Sequence, residues 1–139
     1  MTLAKSIARD GEGATKLLEV IVTGAKDEKQ AQCIAKSIIV SPLVKTAIYG
    51  ESPNWGRIIA RIGNEDVSED MLASCVISVQ EIILFKDGKP QDDAHDLKKQ
   101  LSSDQVTIQV DFNAGQGNAK AFGCDLTEKY VKINAEYVS

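Results

Sequence analysis

An acid flanked by two glycines near the start of the chain most constrains what this sequence can fold into. Residues 9–16 read R-D-G-E-G-A-T-K and lie between a short helical run, residues 3–8, and an alternating apolar stretch, residues 17–23. Gly11 and Gly13 allow positive φ angles and a close approach of the backbone to another group. The carboxylate of Glu12 is therefore uncrowded, and a loop of this kind can present the acid to a ligand.

A turn with solvated acids is the simpler interpretation of the same loop. A phosphate-binding loop is excluded, because residues 11–16 lack the G-x-x-x-x-G-K-[ST] spacing. An EF-hand calcium loop is also excluded, since Ala14 cannot be a ligand and no glutamate closes the loop at its twelfth position. The residues alone leave the turn and the ligand-binding loop both open.

Composition narrows the class of protein. The chain has 139 residues of which 43% are hydrophobic, enough for one domain or for one domain with a piece of another. A net charge of −4 with interspersed signs argues against nucleic-acid binding. We expect neither a membrane span nor a signal peptide, because no apolar run is long enough. Cys33, Cys75 and Cys124 form no C-x-x-C, which predicts reduced core thiols in a cytoplasmic protein.

Apolar periodicity predicts strands that alternate with helices. Period-two alternation is cleanest at residues 106–112. The remaining strands are expected at residues 17–23, 43–49 and 76–85, with a hairpin turn at residues 86–89. A further turn at residues 113–118 is expected to lead into a partner strand that ends near Cys124.

Capping signals place the predicted helices. Asp27 with Gln30 forms a capping box that opens one helix. Ser52 followed by Pro53 is expected to open another, which Gly63 would end. Further helices are predicted at residues 92–101 and from Asp125 to the end of the chain, and Trp55 is expected to be a packing anchor.

A metal site is not expected. Residues 92–96 read D-D-A-H-D, but acids at the start of a helix are explained by the helix dipole. The group has no second histidine or thiol nearby, so we interpret it as a solvated face.

Four segments in order carry a resemblance to a known family. They read LAKSIARDGEGATK with VIVTGA, SPLVKTAIYG, PNWGRI, and GCDLT running to INAEY, within residues 3–25, 41–50, 53–58 and 123–137. This series resembles the β-chain of the ornithine acetyltransferases, also called glutamate N-acetyltransferases, and it spans nearly the whole chain.

The pattern and the resemblance imply an α+β fold. Residues 27–139 are expected to form the mixed-sheet C-terminal domain of the acetyltransferase β-chain. Residues 1–26 are expected to be a helix–loop–strand piece of the neighbouring catalytic-domain sheet, which carries the D-G-E-G loop.

The resemblance also implies a reaction. The family exposes an N-terminal threonine by self-cleavage, and this threonine carries the acetyl group from N-acetylornithine to glutamate as an ester. No cofactor is expected. The resemblance assigns substrate binding to Glu12, Asn134 and Ser139, where Glu12 would hold the amino end and the other two the carboxylate. Without the resemblance, Asn134 and Ser139 would be interpreted as part of a frayed solvated end.

No catalytic residue is expected within this chain. The nucleophilic threonine of the family lies some tens of residues before the D-G-E-G loop, and the oxyanion hole belongs to the α-chain. Thr2 occupies the position of the helix before the loop and is disfavoured as a nucleophile in an autonomous amidohydrolase. The expected partners are therefore the α-chain and the remaining β-chain segment, in a hetero-oligomer. The alternative is a non-catalytic amino-acid-binding or interaction module derived from the family.

Overall fold

The computed structural model describes residues 17–49, 54–91, 101 and 104–124. Within these ranges the chain forms six strands and four helices. They are β1 (Leu17–Ala25), α1 (Glu28–Ile39), α2 (Pro42–Tyr49), α3 (Trp55–Gly63), α4 (Glu69–Ser74), β2 (Val76–Val79), β3 (Ile82–Lys86), β4 (Lys89–Pro90), β5 (Gln105–Asp111) and β6 (Gly117–Cys124).

The strands form one mixed sheet in the order β4-β3-β2-β5-β1-β6. Strand β1 runs parallel to β5 and antiparallel to β6, while the other neighbours are antiparallel. This arrangement confirms the predicted α+β fold with a mixed sheet. The division at residues 26 and 27 stays a prediction, although β1 shares its sheet with strands of the second part.

The two faces of the sheet differ in burial. One face carries Val20, Val22, Ile108 and Val110, which are fully buried together with the apolar side chains of α1 and α3. This is the predicted alternation of β1 and β5, and it accounts for the core. We call the opposite side the outer face. It carries the residues that alternate with the core positions. Ile21, Ser78, Ile83, Thr107 and Gln109 are half-buried or exposed on this face, while Leu17, Glu19 and Phe122 are buried.

Helix α1 begins as the capping signal predicts. The backbone amide of Gln30 donates to Asp27 Oδ1 at 2.8 Å. Gln30 Oε1 in turn accepts from the amide of Lys26 at 2.8 Å. The two side chains thereby satisfy amides that the first turn leaves without a helical partner.

The predicted strand at residues 43–49 is wrong, because this segment is helix α2. The amide of Val44 donates to Ser41 Oγ at 3.3 Å, and Pro42 occupies the first helical position. Val44, Ala47 and Ile48 then face the core at helical spacing. A continuous apolar run fits a strand or a buried helix equally well, so the capping residues are what decide it.

The predicted ends of α3 are also wrong. Its N-cap is Asn54, whose Oδ1 accepts from the amide of Arg57 at 3.1 Å, and Ser52 is not the cap. Gly63 is the last helical residue and Asn64 follows it as the C-cap. The asparagine side chain reaches an amide three residues on, which moves the start of the helix to Trp55.

The predicted strand at residues 76–85 is two strands. Gln80 and Glu81 take φ angles of 53° and 66° and form a turn between β2 and β3. Neither residue is a glycine or an asparagine, so the usual sequence signal for this turn is missing. The hairpin turn predicted at residues 86–89 is confirmed, with Asp87 and Gly88 at φ 56° and 74°. Helix α4 was not predicted.

Backbone segments pack closely against each other at the C-terminal end of β1. An added Cβ would lie 2.5 Å from the Ala25 oxygen at Gly115 and 2.0 Å from the Asp27 oxygen at Gly117. At Gly24, with φ of +67°, it would lie 2.5 Å from the Asn113 nitrogen. We call Gly24, Gly115 and Gly117 the glycine corner, since only glycine leaves room there.

Several predicted elements lie outside the described residues. They are the helical run at residues 3–8, the D-G-E-G loop, most of the helix at residues 92–101 with its D-D-A-H-D sequence, and the terminal helix. Among the described helices, none is by itself long and apolar enough to cross a membrane. Helices α1 and α2, bent by 61° at their junction, meet that criterion only as a pair.

Candidate functional site

The three predicted substrate-binding residues, Glu12, Asn134 and Ser139, lie outside the described residues, as does Thr2. Their roles stay predictions. What the structure gives is the arrangement of the strands from which their segments extend.

Those segments leave the sheet at the same end. Leu17, the first residue of β1, pairs with Cys124, the last residue of β6. Glu12 lies five positions before Leu17, and Asn134 lies ten positions after Cys124. An extended chain covers at most about 3.6 Å per residue, which gives reaches of roughly 18 Å and 36 Å. The strand pairing is thus compatible with a site to which both segments contribute.

A polar depression lies on the outer face towards this end. Its volume is about 450 Å³. Its lining residues come from β1, β5 and the turn between β2 and β3: Glu19, Ile21, Gln80, Glu81, Thr107 and Gln109. The two charged groups in this lining are both carboxylates, so the depression is acidic.

Glu19 is the buried acid of the depression, with 9% of its surface exposed. Thr107 Oγ1 donates to Glu19 Oε1 at 3.3 Å, a distance beyond the usual range for such a bond. A carboxylate removed from water needs compensating donors or a cation. The position therefore favours the binding of a positively charged group.

Gln80 fixes the rim of the depression. Its backbone amide donates to the Thr107 oxygen at 3.0 Å, and its Oε1 accepts from the Thr107 amide at 2.9 Å. Its Nε2 donates to the Gln105 oxygen at 3.0 Å. These three bonds attach the turn to β5 and hold Glu81 beside the depression.

The segments that resemble the acetyltransferases at residues 41–50 and 53–58 contribute packing in this structure. Arg57 Nη1 donates to the Leu43 oxygen at 2.8 Å and so connects α3 to α2. Trp55 packs on Phe85 with ring centroids 5.1 Å apart, which confirms its predicted role as an anchor. Arg61 Nε donates to the Ser37 oxygen at 3.0 Å near the end of α1.

Sequence reasoning missed two buried charged residues. Lys45 on α2 has 1% of its surface exposed, among the most buried large side chains described. The burial of Lys45 could have been predicted from its position between Val44 and Ala47 on the apolar side of a helix. This pattern is recognisable only once the segment is assigned as helix α2. Glu19 had no signal, because period-two alternation places it on the face expected to contact solvent.

The described cysteines do not form a reactive centre. Cys75 is buried as predicted, its Sγ donates to the Leu72 oxygen at 3.2 Å, and burial raises its pKa to about 11. It is a neutral thiol at physiological pH and an inert one. Cys33 is exposed, so its predicted core position is wrong. No group of three or more potential metal ligands occurs in the part of the chain that the structure describes.

Comparison with known proteins identifies the class of this α+β domain. The family model described as ArgJ family matches residues 1–139. The chain therefore belongs to the ArgJ family, which confirms the resemblance found in the sequence.

Similar proteins and a solved structure support the same family assignment. The chain is 51% identical over 136 residues to the arginine biosynthesis bifunctional protein ArgJ of Oceanobacillus iheyensis, covering 97% of this chain and 33% of that protein. It is 50% identical to the protein of that name in Lactococcus lactis, covering 99% of this chain and 35% of that one. The crystal structure of arginine biosynthesis bifunctional protein ArgJ from Bacillus halodurans superposes with a TM-score of 0.84 at 46% identity, covering 92% of this chain and 61% of that chain.

The coverages show how much of the relatives this chain corresponds to. The chain spans about a third of the length of the curated relatives that it matches. Most of the relatives' polypeptide has no counterpart in this sequence.

Proposed function

We propose that this chain is part of a glutamate N-acetyltransferase of arginine biosynthesis, which transfers acetyl from N-acetylornithine to glutamate. The observation that carries the proposal is the ArgJ family match over every residue, together with relatives named arginine biosynthesis bifunctional proteins. The nucleophilic threonine and the oxyanion hole belong to polypeptide outside this chain.

The reaction consists of two acyl transfers. The threonine hydroxyl adds to the acetyl carbonyl of N-acetylornithine, its proton passes through the free α-amine to the leaving nitrogen, and ornithine departs. The amine of glutamate then attacks the threonine ester, so that N-acetylglutamate forms and the hydroxyl is restored. Both steps need the substrate amine and carboxylate to be held in place.

This chain would supply the substrate contacts. Glu12 holds the amino end by a charge-assisted hydrogen bond, while Asn134 and Ser139 place the carboxylate. The pairing of Leu17 with Cys124 supports this arrangement, because it brings the two segments to the same end of the sheet. The proposal places the assembled hetero-oligomer in the cytoplasm, with amino acids as its substrates.

An acetyl-transfer assay tests the proposal. The chain is measured alone and after mixing with the part of the Oceanobacillus iheyensis relative that this chain lacks. We expect no transfer from the chain alone and transfer of acetyl from N-acetylornithine to glutamate in the mixture. A complex that binds N-acetylornithine without transferring acetyl would instead favour the non-catalytic amino-acid-binding module. Transfer by the chain alone would contradict the assignment of the nucleophile to another polypeptide.

A further inference from the structure

We propose that residues 125–139 dock on the outer face of the sheet over Leu17 and Phe122, and that this contact holds Asn134 and Ser139 beside the polar depression. The proposal rests on the proposed function, because it names the surface that positions two of the substrate-binding residues. Three features carry it: the burial of part of the outer face, the point at which β6 ends, and the apolar pattern of the segment that follows.

Two apolar side chains of the outer face are buried although they lie outside the main core. Leu17 has 2% of its surface exposed and Phe122 has 5%. Neither belongs to the apolar cluster that α1, α2 and α3 form with the sheet. Glu19, which is opposite Phe122 in the pairing of β1 with β6, is 9% exposed. We call these three residues the outer patch. They are buried within a single chain, so part of the same chain covers them.

The end of β6 indicates which segment this is. Cys124, the last residue of β6, pairs with Leu17, so residue 125 follows directly at the outer patch. As a helix, residues 125–139 would span about 20 Å. The distance from β6 across β1 to β5 is about 10 Å, at about 4.8 Å between neighbouring strands. The segment is therefore long enough to cross the outer patch and reach the depression on β1 and β5.

This segment also has the apolar surface that the outer patch requires. Four large apolar residues recur at helical spacing and form one stripe: Leu126, Tyr130, Ile133 and Tyr137. Such a stripe must be buried against another element, and a tyrosine ring is a favourable partner for Phe122.

The segment before β1 fits the outer patch less well. The predicted helix at residues 3–8 has two large apolar residues, Leu3 and Ile7. The eight residues that link it to β1 are mostly polar or glycine. We therefore assign the outer patch to residues 125–139.

Docking of the stripe has a consequence for the substrate site. Asn134 follows Ile133 directly and lies beside the stripe on the predicted helix, and Ser139 ends the segment. A stripe held on the outer patch keeps these polar residues at a fixed position next to the depression. Substrate-positioning groups need this fixed geometry, because small displacements reduce rates strongly.

Nuclear magnetic resonance of the full 139-residue chain tests the proposal directly. We expect nuclear Overhauser contacts from the Phe122 ring and the Leu17 methyl groups to side chains of the stripe. Ile133→Asp places a charge in the stripe and is expected to remove these contacts. Ile133→Leu keeps an apolar side chain there and is expected to retain them. Circular dichroism of each variant shows whether the sheet is folded.

The matched control is Val131→Asp. This residue lies two positions before Ile133 and hence about 200° around the predicted helix, away from the stripe. In the assembled enzyme, Ile133→Asp is expected to lower kcat/KM for N-acetylornithine by about 10- to 100-fold, as misplaced positioning groups do. Val131→Asp is expected to change it by less than about twofold.

Three outcomes would overturn the docking of residues 125–139. The first is a set of contacts from Phe122 and Leu17 to residues 1–16, since the other end of the chain would then cover the outer patch. The second is contacts between differently labelled copies of the chain, which would make the cover a second copy. The third is the same loss of contacts in Ile133→Asp and Val131→Asp.

The acetyl-transfer assay separates this proposal from the proposed function. Acetyl transfer by the assembled mixture, with no contact between the stripe and Phe122, would refute the docking alone. Contacts that Ile133→Asp removes, in a chain whose mixture transfers no acetyl group, would refute the proposed function alone.

Discussion

The two ends of strand β1 are built in opposite ways. At its last residues the glycine corner brings backbone against backbone, and the amides of Ala114 and Gly115 both donate to the Gly24 oxygen, at 2.7 and 2.9 Å. At its first residues, mostly polar side chains from β1, β5 and the turn between β2 and β3 surround an open recess. One end has no room for a methyl group, and the other has room for a whole side chain.

This contrast separates the part of the sheet that sets the fold from the part that is available for function. The glycine corner tolerates no added atoms, so its residues are determined by packing. The recess places one buried and one exposed acid beside an open volume, and concave polar sites of this kind are where proteins bind other molecules. Substitutions at the two ends should therefore differ in what they change.

The largest expected effect is at the glycine corner. Gly117→Ala places a Cβ about where the Asp27 carbonyl lies, because the two would be 2.0 Å apart. Backbone cannot move aside as a flexible side chain can, so we expect a loss of about 3 kcal/mol in the free energy of unfolding. Chemical denaturation followed by circular dichroism measures it.

Gly63→Ala is the matched control. Its added Cβ would lie 3.9 Å from Leu72 Cδ1, an ordinary contact, at the end of a helix. We expect it to raise stability by up to about 0.5 kcal/mol. Equal losses in the two variants would show that the glycine corner is not specially packed.

The next effect concerns the segment that enters the sheet at the recess end. In the assembled enzyme, Glu12→Ala should raise the activation free energy of acetyl transfer by about 2–3 kcal/mol. This is the scale of a hydrogen bond to a charged group. The ratio of kcat/KM between wild type and variant gives this value. Glu28→Ala, an exposed glutamate in the first turn of α1, serves as the control. Unchanged kinetics for Glu12→Ala would remove this residue from the site.

A smaller effect is expected at the rim. Gln80→Ala removes two side-chain hydrogen bonds and leaves the half-buried Thr107 amide without that acceptor. We expect a loss of about 1–2 kcal/mol in the free energy of unfolding. Gln91→Ala also removes two hydrogen bonds, to the Lys86 and Lys89 oxygens, but they are exposed. A loss below about 0.5 kcal/mol is expected for this control.

The smallest effect has the opposite sign. Glu81 has a φ of 66°, a conformation that costs a residue with a Cβ about 1–2 kcal/mol and costs glycine nothing. Glu81→Gly should therefore stabilise the chain by about 0.5 kcal/mol after the greater flexibility of unfolded glycine is counted. Chemical denaturation measures the change, and a variant less stable than wild type would contradict the expectation.

The sequence predicted those elements whose signals are local. The alternation in β1 and β5, the Asp27 cap and the Asp87–Gly88 turn depend on neighbouring residues, and each is confirmed. The segment now seen as α2 was missed because a short and mostly apolar run fits a strand or a helix equally well. The turn at Gln80 was missed because tertiary hydrogen bonds to β5, and not a glycine, hold its backbone.

The candidate site was less accessible from the sequence. Glu12, Asn134 and Ser139 came from a resemblance to a family and not from a physical pattern in this chain. The recess depends on which strands are neighbours, and the order β2-β5-β1 brings together residues far apart along the chain. No local pattern specifies that order.

The position of β1 in the sheet also has a consequence for how the chain folds during synthesis. The first described strand lies between the last two, and Glu19 meets Thr107 across a separation of 88 positions. On the ribosome, β1 cannot pair with β5 until the residues between Glu19 and Thr107 have emerged. Such distant partners favour slow folding and a prolonged need for protection by chaperones.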